Sequence, residues 1–359
     1  MDAIYIHIPY CMSKCNYCDF YSQGRKTSVP QEYVNAVLRE IEYYKKSFDI
    51  RADSLYFGGG TPSLMSPRQV KAIIDAVSPR ADAEITLEAN PECVTAQSLD
   101  GFKKAGINRI SFGVQTANAQ SLKRLGRAHS TEQSLSALKM AKDAGFTNIS
   151  GDIMLALPSY SYKELDDTLT LLANGGCTHI SSYLLKIEPN TVFGKRPPMD
   201  MPKEDEAADY YLYCVNALEQ LGYHQYEISN FAKDGYESRH NLVYWRGGDY
   251  LGIGPAAHSC VNGKRFYYPS STNAFINGDI KTVADGEYDA EDYIMLRLRL
   301  LEGLNLAELN ERYNIDLITE HGGFINKLCE TDMAVCKENI LTLTPKGMLV
   351  QNSILAELI

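Results

Sequence analysis

Tyr5-Ile-His-Ile-Pro-Tyr-Cys-Met-Ser-Lys-Cys-Asn-Tyr-Cys18 opens the chain with a short apolar run and then three cysteines, Cys11, Cys15 and Cys18, in the spacing CxxxCxxC. Three thiolates hold three irons of a cubane 4Fe-4S cluster and leave the fourth iron open to an exogenous ligand, whereas a cluster that only passes electrons normally takes four cysteines. Zinc is the competing reading, because His7 stands four residues before Cys11 and would complete a Cys3His set. Structural zinc sites usually pair two ligand clusters across a longer loop, so the spacing favours iron. The six other cysteines are scattered and form no CxxC pair, which reads as small buried hydrophobes in a reducing compartment.

The apolar run before the cysteines, Ile4 to Ile8, is the first of six strand-like stretches. The others are Ser54 to Phe57, Glu84 to Glu88, Arg109 to Val114, Asn148 to Leu155 and His179 to Leu185. Helix-patterned segments lie between them, near Tyr33 to Lys46, Pro67 to Val77, Ala96 to Ala105, Ser134 to Ala144 and Tyr162 to Ala173. Such alternation predicts an α/β fold with a parallel sheet. Polar groups cluster just after the strands: Cys11, the Gly58-to-Thr61 loop, Glu88, Gln115 and Asp152. In a (β/α) barrel these would gather at the C-terminal mouth, so the expected fold is a partial (β/α)6 TIM-type barrel.

The alternation stops near residue 200. A helix is expected from Lys203 to Leu221, then a loop-rich stretch from Glu227 to Asp279. Helices at Glu291 to Leu301, Leu306 to Tyr313 and Gly323 to Cys329 precede two strand-like runs, Ile340 to Thr344 and Gly347 to Gln351. The expected domains are therefore a barrel over 1–205, a loop-rich extension over 206–285 and a small winged-helix-like domain over 286–359.

With 45% hydrophobic and 22% charged residues among 359, the composition is that of an ordinary globular protein. The net charge of −10, with no basic run longer than two residues, disfavours a nucleic-acid partner, because phosphate binding needs clustered Lys and Arg. No apolar run approaches the ~20 residues that span a bilayer, and no signal peptide precedes the cysteines. A cytoplasmic location is expected, with peripheral association at a membrane left open.

Gly58-Gly-Gly-Thr-Pro62 follows a strand, where glycines let backbone approach a ligand; a tight turn would explain them equally well. Glu88 sits in an apolar strand and needs a cationic or hydroxyl partner, whether a ligand or a structural ion pair. Arg127 offers a two-pronged clamp for a carboxylate, and Asp152 an acceptor for ribose hydroxyls. With Gln115 and the cysteines they describe a site for a charged amino acid joined to a nucleoside. His240 begins His240-Asn-Leu-Val-Tyr-Trp245, which holds the only tryptophan. A histidine among aromatics reads as a heme ligand, or as packing of a long loop onto the barrel.

Tyr5-x-His7-Ile8-Pro9-x-Cys11, the CxxxCxxC spacing, Gly58-Gly-Gly-Thr-Pro62, Glu88-Ala-Asn-Pro91, Ser111-Phe-Gly-Val-Gln115, Leu125-Gly-Arg-Ala-His129 and Asp152 occur in order along the chain. Together they resemble the radical S-adenosylmethionine (SAM) superfamily, within it the oxygen-independent coproporphyrinogen III oxidases and their relatives. The resemblance implies a 4Fe-4S cluster on Cys11, Cys15 and Cys18, with SAM on the open iron. It places Tyr5, Gly59, Gly60, Thr61, Glu88, Gln115, Arg127 and Asp152 around the SAM. It also implies an electron donor such as flavodoxin or ferredoxin, and leaves open whether SAM is cleaved productively.

Two departures separate branches of that group. Phe20 stands where the oxidases carry a further cysteine, and the motif begins at Tyr5 without their long N-terminal extension. His240-Asn-x-x-Tyr-Trp245 resembles the HNxxYW signature of the HemW-like heme chaperone branch. This implies heme as a third cofactor, with His240 as its candidate ligand, and a heme-acceptor protein of the respiratory kind as partner. The alternative is an oxidase that decarboxylates two propionates of coproporphyrinogen III.

Overall fold

The computed structural model describes residues 1–359. Six strands, β1 (Ala3–Ile8), β2 (Ser54–Gly59), β3 (Glu84–Ala89), β4 (Arg109–Gln115), β5 (Asn148–Leu155) and β6 (His179–Leu184), lie parallel and side by side in chain order. β1 and β6 do not pair with each other, so the barrel is partial.

Strand parity explains the packing. On one face Ile4, Ile6, Ile8, Leu55, Phe57, Leu87, Ile110 and Phe112 are fully buried in a core shared with the helices. The opposite parity is polar. Register pairs Tyr5 with Tyr56, Glu88 with Ser111, Gly113 with Asp152 and Asp152 with Ser181, and cross-strand partners share a face. The barrel interior is therefore a ladder of hydroxyls, carboxylates and imidazoles, and it is stable only because these groups bond one another. Each β-to-α return is encoded locally. Ser66 and Gln69 form a capping box ahead of helix Pro67–Val77, Thr95 and Ser130 cap helices Ala96–Ala105 and Thr131–Asp143, and Gly106 takes the left-handed C-cap.

The stretch expected to be loop-rich is instead built into the sheet. Strands β7 (His224–Gln225), β8 (Asn230–Ala232), β9 (Tyr250–Ile253), β10 (His258–Val261), β11 (Lys264–Tyr267) and β12 (Val283–Glu287) extend it to twelve strands. β9 runs parallel to β1, with Ala3 opposite Tyr250, and β8 runs antiparallel to β6. These strands are only two to five residues long. β8 and β9 join the barrel through partners far away in sequence, β6 and β1, which no local pattern marks. β10 and β11 instead form a local hairpin that turns at Asn262-Gly263, both with positive φ, a turn signal present in the sequence and not read there.

The same stretch closes the barrel floor. Helix Arg239–Trp245 is capped by Ser238, and its first two amides, of Arg239 and His240, donate to the Glu84 carboxylate at 3.2 and 3.1 Å. Tyr226 meets His179 Nε2 at 2.8 Å, and Ser150 takes the other ring nitrogen at 2.8 Å.

A second core of 16 buried residues runs from Tyr293 to Leu358. Helices Ala290–Arg297, Leu306–Tyr313 and Leu317–Glu330 pack there with an antiparallel sheet of β13 (Leu304–Asn305), β15 (Ile340–Leu343) and β14 (Ala334–Lys337), in that order. The hairpin differs from the expected one. Its two strands turn at Glu338 and Asn339, both with positive φ, and Gly347 to Gln351 is no strand: Gly347 to Leu349 ends the helix Pro345–Leu349, and Gln351 opens the helix Gln351–Leu358. Thr344 caps the first of these helices and Pro345 occupies its first turn, a start signal that outweighs the apolar run after it. No helix is long and apolar enough to cross a membrane.

Candidate cofactor site at the barrel mouth

A cavity of about 550 Å³ opens at the C-terminal ends of the six strands, lined by Cys11, Cys15 and Cys18 on one side and by Gly59, Gly60, Thr61, Glu88, Gln115, Arg127 and Asp152 on the others. Tyr5 and His240 do not line it.

The cysteine loop is tied at both ends. The Cys11 amide donates to Gln23 O at 2.9 Å and the Gln23 amide to Pro9 O at 2.8 Å. Mid-loop, Asn16 donates through its amide to Leu125 O at 2.9 Å and through Nδ2 to Arg124 O at 2.8 Å. These bonds set the thiols against the loop that carries Arg127. No group of three His, Cys, Asp or Glu side chains is close enough to hold a metal ion, so the thiols share a wall without being drawn into ligand geometry. His7 cannot complete a zinc set here, because Nδ1 bonds Tyr5 OH at 3.0 Å and Nε2 bonds Tyr21 O at 2.9 Å.

The donor set nevertheless fits an open-iron cluster. Burial, with Cys15 and Cys11 nearby, pushes the Cys18 thiol up to about 11, and an iron centre supplies the positive charge that a buried thiolate needs. Arg127 adds to it: Nη1 lies 3.4 Å from Cys15 Sγ, Nη2 donates to Asn90 Oδ1 at 2.7 Å and Gly113 O at 2.8 Å, and buried Nε has no partner.

The rest of the wall fits an amino acid with a nucleoside. Gly59 has φ +110°, and a Cβ there would fall 2.5 Å from the His7 ring. Its amide donates to Glu88 Oε2 at 3.1 Å while Tyr56 OH donates to Oε1 at 2.8 Å. Even so, burial and the neighbouring Asp152 raise the Glu88 carboxyl to about 7. An incoming ammonium group would ionise it. Asp152 accepts from Ser111 Oγ at 2.9 Å, and burial raises its carboxyl too. A Cβ at Gly113 would stand 3.0 to 3.2 Å from Gln115, Arg127 and Asn90, so this glycine keeps a polar cradle open. Gln115 itself has φ 68°, at a break in the β4–β5 register that turns the chain out of the strand.

Sequence reasoning missed several residues in or behind the wall. Tyr56 holds Glu88, and Asn90 bridges Thr61 Oγ1 at 3.1 Å to Arg127. His129 secures the Arg127 loop by bonding Val114 O at 3.1 Å. Ser111 and Met154 also line the cavity, and the signal for them and for Tyr56 was parity: Tyr56 stands two residues from Gly58 of the glycine loop, Ser111 four from Gln115 and Met154 two from Asp152.

His240 lies at the floor, away from this cavity. Nδ1 bonds Ser54 Oγ at 2.9 Å and Nε2 bonds Tyr244 OH at 2.8 Å, with the ring buried between them. Burial, then Arg109, lowers its basicity to about 3, so the imidazole is neutral. In this structure both ring nitrogens are hydrogen-bonded within the protein, as the loop-packing alternative for His240 describes.

A polar-lined partial barrel with CxxxCxxC thiols at its mouth is the architecture of the radical SAM superfamily, whose family model matches residues 5–172; the HemN C-terminal domain model matches 285–350. The chain belongs to the HemW family. It is 42% identical to heme chaperone HemW of Escherichia coli K12, over 72% of this chain and 70% of that one. It is 33% identical to heme chaperone HemW of Bacillus subtilis 168, over 99% and 98%. The solved structure of E. coli coproporphyrinogen III oxidase HemN superposes with a TM-score of 0.84, at 21% identity, covering 99% of this chain and 89% of that one, which is a likeness of fold.

Proposed function

We propose that this chain is a heme chaperone that binds heme and passes it to acceptor proteins of the respiratory kind, while carrying a 4Fe-4S cluster and SAM at the barrel mouth. The observation that carries the reading is similarity to heme chaperones along almost the whole chain, 33% over 99% of it in one case. Phe20 supports it. It lies on the cavity rim, 69% exposed, where the resemblance to oxidases called for a thiol.

Within this reading Cys11, Cys15 and Cys18 hold the cluster. The cluster, when bound, supplies the electron that SAM chemistry requires, from a flavodoxin- or ferredoxin-type donor. Glu88 and the Gly59–Thr61 loop orient the SAM ammonium, Arg127 and Asn90 keep the loop and Cys15 in place, and Asp152 with Ser111 receives ribose hydroxyls. Tyr5 acts from beneath, since its ring fills the space that a side chain at Gly58 would need, 2.7 Å away.

The test is anaerobic reconstitution followed by hemin titration and a coproporphyrinogen III turnover assay. Stoichiometric hemin binding without decarboxylation is the expected result; turnover would move the chain to the oxidases.

A further inference from the structure

A second cavity, about 380 Å³, lies between the end of β6 and the C-terminal domain, and it shares Tyr183, Leu184 and Lys186 with the first. Ile228, Met348 and Leu349 give it apolar walls, Ser229 and Asn352 give it neutral hydrogen-bonding groups, and Arg299 is the cation deepest in the chain's packing among its lining residues.

Arg299 is the unusual member. Its neighbours Arg246 and Arg297 both pair with Glu302. Arg299 makes no such pair: its guanidinium lies over the Trp245 ring, 5.1 Å from the centroid, and its buried Nε has no acceptor. The carboxylate that acts on it, Glu227, is fully buried and turns one oxygen to the Ser229 amide at 3.2 Å. Burial costs the charge on Arg299, lowering its pKa. A guanidinium held half-desolvated and unpaired beside a cavity is a site for an anion, and a planar carboxylate matches its fork.

The cavity's apolar walls exclude a small, fully hydrated anion as the best fit. They suit a ligand with a flat apolar body and a carboxylate at its edge. We infer that Arg299 is a carboxylate-binding residue of a tetrapyrrole site between the barrel and the C-terminal domain, receiving a propionate of heme. This rests on the heme-chaperone reading and adds to it a place, away from His240, where the ligand's acidic edge is read.

Hemin and hemin dimethyl ester, in which both carboxylates are masked, are titrated into the reconstituted full-length protein, its Arg299→Gln variant and its Arg299→Lys variant. Quenching of Trp245, the only tryptophan, and the Soret band report binding. Arg299→Gln is expected to weaken hemin binding on the order of tenfold or more, with Arg299→Lys between it and wild type. The ester should bind wild type and Arg299→Gln alike. Circular dichroism and cluster absorbance matching wild type keep the loss from being one of folding. Should Arg299→Gln misfold, the ester-to-hemin ratio on wild type decides alone: equal affinities overturn the assignment. Equal hemin binding by wild type and a folded Arg299→Gln overturns it as well and leaves the heme reading standing. If wild type binds no hemin, the heme reading itself fails and the assignment with it.

Discussion

The imidazole of His240 lies stacked on the phenol ring of Tyr56, with centroids 4.8 Å apart and planes inclined by 27°. Tyr56 in turn donates to Glu88, so the helix that plugs the barrel floor supports a carboxylate at the mouth. The HNxxYW motif thereby has a structural task that needs no iron.

Replacing His240 by Gln is expected to destabilise the protein by about 1–3 kcal/mol, because at least one of Ser54 Oγ and Tyr244 OH loses its buried partner. The position and intensity of the Soret band of bound hemin should stay as in wild type. Thermal melts and visible spectra check the two halves; a displaced Soret band in a stably folded variant would mark His240 as a ligand.

Glu88 makes stability fall as pH rises. Its carboxyl ordinarily titrates at 4.5 and is raised to about 7 in the fold, so between those values the folded state holds a proton that the unfolded chain has lost. Relative to Glu88→Gln, the protein without cofactors should lose about 2 kcal/mol between pH 5 and pH 7. Urea melts at the two values measure this. Parallel curves for the two proteins would show that the carboxyl is not raised.

Cys15→Ala should abolish the visible absorption of the reconstituted cluster, because two thiolates do not hold a cubane firmly. Iron and sulfide analysis gives the same answer independently of colour. A full complement of iron in this variant would remove Cys15 from the ligand set.

Gly113→Ala separates binding from folding. Its backbone does not lie in the left-handed region, and the added methyl meets side-chain atoms of Gln115, Arg127 and Asn90 that can yield by a few tenths of an ångström. Stability should change by less than about 1 kcal/mol, while SAM affinity drops on the order of tenfold as the cradle fills. Calorimetric titration with SAM, set beside a thermal melt, distinguishes the two effects.

The six parallel strands were legible because each carries its own apolar run, and the helices after β2, β3, β4 and β5 open on a side-chain cap. Parity even carried information that was not used: Tyr56, Ser111 and Met154 follow from the strands already drawn. Much of what was not legible is non-local. Ser54 and His240 are 186 residues apart, and a histidine among aromatics reads the same whether its nitrogens are free or taken. The β9 edge is likewise a short run whose partner, β1, begins the chain. In the C-terminal hairpin the deciding features were two left-handed residues that are neither Gly nor a matched Asn-Gly pair, so the turn passed unseen.

The pairing of β1 with β9 also sets a timetable. The strand that launches the cysteine loop is completed on one side by residues 250–253, made almost 250 residues later. At about 5–20 residues per second, a ribosome needs roughly 10–50 s to cover that distance. Through that interval the three thiols are outside with one flank of their strand bare. Loading iron before the chain is finished would therefore mean building on a loop whose launching strand still lacks one neighbour, and the order of maturation that this architecture favours is synthesis first, closure of the β1 edge second, and cluster insertion last.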